Sequence, residues 1–481
     1  MECGHYSNFT SRREMLARFG YGLGVAALHV LGGGGASAAT PATAGRAFPN
    51  FAPRAKRVIF LFQAGGPSHL DLLDYKPAMK GRFNEDIPPS IFGTQRITGM
   101  VAQQDRFPVM PTLYGFKQYG DSGMWLSDLL PHTAKIADRI CLLRAMNTEA
   151  INHDPAITFI QTGSQLPGRP CMGSWVDYGL GSENQNLPAF VVLNSVPSNG
   201  MPDQGLLSRL WGAGFLPSRY QGVQFRSAGD PVLHLSNPPG MSRETRRSLL
   251  DGLTALNQKA QQRVGDPEIE TRIAQYEMAF RMQASVPDLV DTAGEPEHVH
   301  ALYGEDSRKP GTFAANCLLA RRLAERNVRF IQLYHRGWDH HGGLTQKIPA
   351  LARDTDQPSA GLILDLKQRG MLDDTLVIWG GEFGRTPYAQ GAPKPDNYGR
   401  DHHGRVFSIW MCGGGVKSGY VHGSSDDYGF NVAEGGVHIL DLQATILYLL
   451  GIDHQKLTYL FQGRQFRLTD VGGQVVKEIV A

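Results

Sequence analysis

The sequence predicts an α/β fold: a doubly wound, mostly parallel sheet with helices on both faces. Three observations carry that expectation. Short apolar runs without polar interruption, as in strands buried on both faces, recur along the chain. Segments of helical periodicity lie between several of them. The 481 residues, 41% hydrophobic, are enough for one large core with insertions.

Arg57–Gln63 (RVIFLFQ) opens the series and is closed by Gly65-Gly66-Pro67. Further buried strands are expected at 140–143, 190–193, 328–333, 376–379 and 407–411. Helices are expected at 126–137, 156–161, 313–326, 360–368 and 438–450. From about 195 to 304 the rhythm breaks: loops rich in Gly, Pro and Ser precede two polar helical segments, 243–263 and 266–283. That stretch reads as an insertion or cap at the sheet edge, because strands resume after it. Residues 466–480 form two alternating runs around Gly472-Gly473 and predict a terminal hairpin.

Residues 1–38 read as an address. Ser11-Arg12-Arg13-Glu14-Met15-Leu16 has the twin-arginine pattern, a glycine-rich apolar stretch follows at 21–31, and Ala36-Ser37-Ala38 supplies a cleavage signature. The apolar stretch is about eleven residues, too short to span a bilayer, so removal, no stable membrane anchor and a periplasmic or otherwise exported location are expected. Residues 39–56 are a linker, and 57–481 the folded domain. Lys plus Arg number 47 against 45 Asp plus Glu, and this balance offers no basic stripe for nucleic acid. Of the five cysteines, Cys3 leaves with the signal; Cys141, Cys171, Cys317 and Cys412 lie too far apart for a zinc ribbon. A disulfide between distant positions is left open by an oxidising compartment.

Histidine and carboxylate residues concentrate where strands end. Trp338-Asp339-His340-His341 follows the 328–333 run, and Asp339 with one histidine can converge on a cation from such a loop. Glu382 closes the run Thr375-Leu376-Val377-Ile378-Trp379-Gly380-Gly381, either as a ligand or as the carboxylate that positions Arg385, whose planar fork suits an anionic oxygen. Asp401-His402-His403 precedes the 407–411 run and offers direct ligands, or a ligand oriented by an acid. After the first strand, His69 and Asp71 alternate and would face one pocket if extended; a Gly-rich turn capping a helix explains them equally well. In Asn152-His153-Asp154-Pro155, Pro155 suits a first helical turn, Asp154 suits an N-cap, and the helix start is placed to meet an anion.

These segments, in this order, resemble the alkaline phosphatase and sulfatase superfamily, and more closely the domain-of-unknown-function 1501 family of exported, sulfatase-like proteins. FLFQAGGPSHLDLLDYKP, INHDPAITFIQTG, RPCMGSWVDYGLG, WGGEFGRTP, GRDHHGR and HILDLQATILYLLG carry the resemblance over the whole mature chain. It implies an alkaline-phosphatase-like sheet. The departures matter as much. Laid on the sulfatase pattern, Pro155 and Thr162-Gly163 match, but the nucleophile position falls on His153 and the arginine position on Ile157, so no formylglycine can form. The superfamily's Asp followed by His or Asn at a strand end, both metal ligands, becomes Glu382-Phe383, which keeps one carboxylate and loses the second ligand; a later histidine ligand maps to His402 or His403; Asp339 and His341 match an Asp-x-x-x-His element loosely. Gln63 stands where the superfamily has Asp, leaving His69 or Asp71 as substitutes.

The expectation is therefore an exported hydrolase of sulfate or phosphate esters, acting on an anionic small molecule or glycan. A divalent cation, zinc or manganese rather than calcium, would be held by residues among Asp339, His341, Glu382, His402, His403, His69 and Asp71. Arg385 would stabilise developing charge, and His153 would act as base or covalent nucleophile. The competing expectation is a catalytically reduced relative that binds an anionic glycan or works in an exported complex.

Overall fold

The computed structural model describes residues 48–481 except 95–96, 199, 201–204, 227–229 and 233–234. Residues 1–38, expected to be an export signal, and residues 39–47 of the expected linker lie outside the described residues. The main sheet is built from β1 (Arg57–Gln63), β2 (Ile140–Asn147), β3 (Phe190–Asn194), β4 (Val223–Phe225), β5 (Phe330–His335) and β6 (Thr375–Gly380). It is completed by β9 (Phe407–Cys412), β10 (Tyr420–His422) and β11 (Val437–His438). A separate antiparallel pair, β7 (Gly384–Ala389) and β8 (Arg400–His403), stands off it. Across the sheet the order is β10-β2-β9-β6-β1-β5-β3-β4, with β11 also on β2. Only β9 runs antiparallel to its neighbours; the other pairings are parallel.

All seven residues of β1 are buried, which is why the strand reads as an unbroken apolar run. Alternate side chains feed two cores. Ile59 and Leu61 face one, with Leu333, Val377 and Trp410 under helices α5 (Phe313–Glu325) and α6 (Leu344–Gln368). Val58, Phe60 and Phe62 face the other, against α1 (His153–Thr162), α2 (Met172–Leu180) and α7 (Ile439–Leu449). Each such side chain contributes roughly 1.5–3 kcal/mol by leaving water. The pattern is doubly wound, as expected. Capping agrees with it: the Thr312 side chain accepts from Ala315 N at the start of α5.

Three elements differ from expectation. Residues 126–137 are not a helix: Met124–Ser127 pairs with Phe116–Tyr119, and Thr133–Arg139 is a 3-10 turn broken at Ile136. Pro131 interrupts the segment, and Asp356 collects His132 N, Thr133 N and the Thr133 hydroxyl at 2.7, 2.7 and 2.6 Å, fixing a turn there. The terminal hairpin is earlier than residues 466–480, at Tyr459–Phe461 and Arg464–Phe466. Gln462 and Gly463 both have positive φ (48° and 81°), the demand of a tight two-residue hairpin turn, whereas Lys477–Ile479 is a 3-10 turn. Helix α6 begins at Leu344 and carries Pro349 and Pro358 within it, although prolines argue against continuing a helix. Burial of Leu351, Leu362, Ile363 and Leu366 on the sheet offsets the lost hydrogen bonds.

The insertion contributes β4, which pairs parallel with β3 at the sheet edge, followed by helices α3 (Arg243–Val264) and α4 (Pro267–Val290). The four later cysteines are free and buried. Among the described residues no helix is long and apolar enough to cross a membrane.

Candidate metal centre

Strands β1, β5 and β6 end in step, Gln63 opposite His335 and Phe62 opposite Gly380. Their following loops therefore meet at the carboxyl edge of the sheet, where open α/β folds place ligands. The loop after β5 is anchored by Trp338, 1% exposed, whose indole N–H is shared between Gln63 Oε1 and His335 Nδ1, each at 3.1 Å. Beyond that anchor Asp339 and His341 turn outward. The β7/β8 pair brings His402 to the same place, and α1 starts there with His153.

Asp339, His341, His402 and His153 each offer a ligand atom, all within 4.8 Å of one another. His341 Nε2 lies 2.9 Å and His402 Nε2 3.3 Å from Asp339 Oδ1, and the two imidazole nitrogens are 2.9 Å apart. His153 Nε2 is 3.1 Å from Asp339 Oδ2. The outer ring atoms determine what these nitrogens carry. His402 Nδ1 donates to the Ile151 carbonyl at 2.9 Å, and His341 Nδ1 donates to Gln390 Oε1. His153 Nδ1 donates to Glu382 Oε1 at 2.6 Å. In the neutral rings all three Nε2 atoms then present lone pairs to each other and to a carboxylate. Acceptors this close repel unless a cation or additional protons lie among them. Three imidazoles with one carboxylate are the donor set of zinc or a similar borderline divalent metal, so the residues fit such an ion.

Electrostatics agree with a site built around Asp339. Burial would raise its pKa, but when the His153, His341 and His402 rings carry their additional protons they donate to it, and with the nearby Arg385 charge this holds it well below the usual carboxylate range. Burial pushes His402 down to about 4, with the Arg385 and His153 charges adding to it against Asp339. For His153, burial opposes the charged ring, yet the Asp339 and Glu382 hydrogen bonds prevail and raise its pKa.

The remaining expected site residues have other roles. Glu382, fully buried, accepts Gly65 N at 2.9 and 3.2 Å and holds the His153 ring, so it orients a ligand from one step behind the cluster. Arg385, also fully buried, is not presented to a substrate. It donates to Gly66 O at 2.9 Å, to Gly65 O, to Arg400 O at 3.2 Å and to Asp339 Oδ1 at 2.7 Å, which ties three loops together. His403 turns away: its Nε2 is 2.6 Å from the Phe430 carbonyl and its ring stacks on Phe430. His69 spends its ring on Gly429 O at 3.0 Å and on the Arg385 amide at 3.5 Å. Asp71 is a buried ion-pair partner of Arg400 at 2.8 Å and accepts Ser68 Oγ at 2.5 Å. These three are thus not part of the cluster, because each is already committed to a nearer partner. Reading the sequence missed Gln390 and the Ile151 carbonyl, which set the ring orientations; it left His153 as base, nucleophile or ligand, and the structure places the ring beside Asp339. Two signals for His153 were legible: its position at the mouth of a helix and its place at the nucleophile position of the sulfatase pattern.

Fold and cluster together define an α/β protein with a candidate three-histidine, one-aspartate cation site at the carboxyl edge of its sheet. The chain belongs to the family described as Protein of unknown function (DUF1501), whose model matches residues 55–480. No match was found among curated proteins. Solved structures similar to it include the PsFucS1 sulfatase from Pseudoalteromonas sp. (11% identity, 85% of this chain and 69% of that one, TM-score 0.34). Others are the phosphonate monoester hydrolase from Silicibacter pomeroyi (14%, 67% and 68%, 0.30) and alkaline phosphatase from the Antarctic bacterium TAB5 (10%, 83% and 98%, 0.30). At such TM-scores the chemistry of the cluster rests on its own geometry.

Proposed function

We propose that this protein is an exported, divalent-cation-dependent hydrolase of sulfate or phosphate esters, with a glycan as the favoured substrate class. One observation carries the reading: three imidazole nitrogens and a carboxylate oxygen converge at a rim that solvent reaches. The side chains of His153, Asp339 and His341 are 19%, 18% and 20% exposed, so a ligand can approach from that side. Export is supported by the pattern at residues 11–38.

His153, Asp339, His341 and His402 would hold the cation, zinc or manganese by the donor set. When bound, such an ion polarises an anionic oxygen and acidifies water. The chain's own residues prepare this. Gln390 and the Ile151 carbonyl keep His341 and His402 protonated at Nδ1, and Glu382 does the same for His153, leaving each Nε2 free to bind. Arg385 offsets the Asp339 charge. Among the described residues, no Ser, Thr or Cys side chain hydrogen-bonds to these four, which favours attack by water over a covalent intermediate.

The test is elemental analysis of the purified protein together with assays on nitrophenyl sulfate and phosphate. About one zinc or manganese per chain, with turnover abolished by Asp339→Ala, is the expected result. The second reading, a binding protein without turnover, is favoured by one specific observation: Arg385, the guanidinium bonded to Asp339, spends its donors on backbone carbonyls and on that carboxylate. Bound metal with no turnover of any ester, unchanged by His153→Ala, would establish it.

A further inference from the structure

Beside the mouth of α1 lies a cleft of about 370 Å³, lined by Ser208, Arg209, Trp211, Ser218 and Gln221 among others. The 3-10 turn Ser208–Trp211 that forms its wall packs against α1. Arg209 leans from this turn to the helix start, where its Nη2 donates to Asp154 Oδ1. Asp154 follows His153 directly, so the guanidinium stands within roughly 15 Å of the cation cluster, given 3.8 Å between neighbouring Cα atoms and the reach of the intervening side chains.

Arg209 differs from Arg385 in what it has left to give. Its side chain is 27% exposed, and its Nε has no hydrogen-bond partner among the described residues although that atom is buried. Asp154, the acid it touches, is 70% exposed and therefore exchanges readily with water or a competing anion. A guanidinium with part of its fork exposed and unspent matches an oxygen of a sulfate, phosphate or carboxylate, and two oxygens once Asp154 lets go. The exposed Ser208 hydroxyl and Gln221 amide beside it are groups that suit a sugar ring.

Resting on the hydrolase reading above, we propose that Arg209 and its cleft form a second anion subsite, so that the substrate is an oligosaccharide carrying a further oxyanion near the ester that is cleaved. Arg209 is then a specificity-determining residue. The exposed end of its fork holds the flanking group, and Asp154 occupies part of that fork when no substrate is bound.

The test is calorimetric binding to the zinc-loaded full chain, with inorganic phosphate, neocarrabiose monosulfate and neocarrabiose disulfate as probes. The disulfate should bind at least about tenfold more tightly than the monosulfate, a step of about 1.4 kcal/mol. Arg209→Gln should erase that preference and leave phosphate binding unchanged. Asp154→Asn, which removes the competitor for the fork, should keep or enlarge the preference. Phosphate binding without a disulfate preference, or a preference that survives Arg209→Gln, overturns the subsite and leaves the hydrolase reading in place. Failure to bind phosphate at all overturns both.

Discussion

At the scale of single residues, the account depends on which atom of each ring is committed elsewhere. His153, His341 and His402 are each tied down at Nδ1, and Asp339 is the shared centre. Glu382→Gln should therefore weaken metal affinity by about 10–100-fold while the protein still folds, the usual cost of losing a partner behind a ligand; competition with a chromophoric chelator measures it. His403→Ala should leave metal affinity unchanged, because its ring belongs to Phe430. Two other histidines make a pH prediction. Burial lowers the pKa of both His69 and His335 below the ordinary value. Their neutral forms are favoured by folding, so their stability contribution is complete above a pH of about 6.5 and is lost as pH falls through the unfolded value toward the folded one. The melting temperature should fall from pH 7.5 to pH 5, and His335→Gln should flatten that slope. The site was legible in part at this scale. Asp339, His341 and His402 stand out as His and Asp beside strand ends, but nothing in sequence distinguishes His402, whose Nδ1 meets a carbonyl 251 residues away, from His403 next to it.

At the scale of elements, the strands were the most readable part of the chain, since burial on both faces removes polar residues from them. Phe60→Ala in β1 should cost about 3–5 kcal/mol, measured by denaturant unfolding, because the ring sits fully buried on one side of the central strand. The turn after β1 has its own demand. Gly66 has φ of 66°, and an added Cβ would come within 2.7 Å of the Phe383 ring, so Gly66→Ala should disturb the loop that Arg385 and Glu382 both grip. The misread elements share a cause: distant partners override local preference. Asp356 makes a turn of residues 132–133 from more than 200 positions away, and core packing carries α6 through two prolines.

At the scale of the whole molecule, parallel strands that end in step deliver loops from four distant parts of the chain to one edge. That convergence follows from doubly wound topology and was predictable as a class, whereas the partners that withdraw His69, Asp71 and His403 from the cluster belong to tertiary structure alone. Because the cation would join loops after β5, β8 and the start of α1, removing it should loosen the molecule as a unit. A ligand held at about a thousand times its Kd stabilises the folded state by roughly 4 kcal/mol. Chelation should thus lower the melting temperature of the native protein and have little effect on Asp339→Ala.

The most direct measurement is a crystal of the metal-loaded protein with anomalous diffraction recorded on either side of the zinc absorption edge. The account predicts one strong peak enclosed by the Nε2 atoms of His153, His341 and His402 and by the Asp339 carboxylate. A difference map flat at that position, with the four side chains bridged by water or by protons alone, would contradict it.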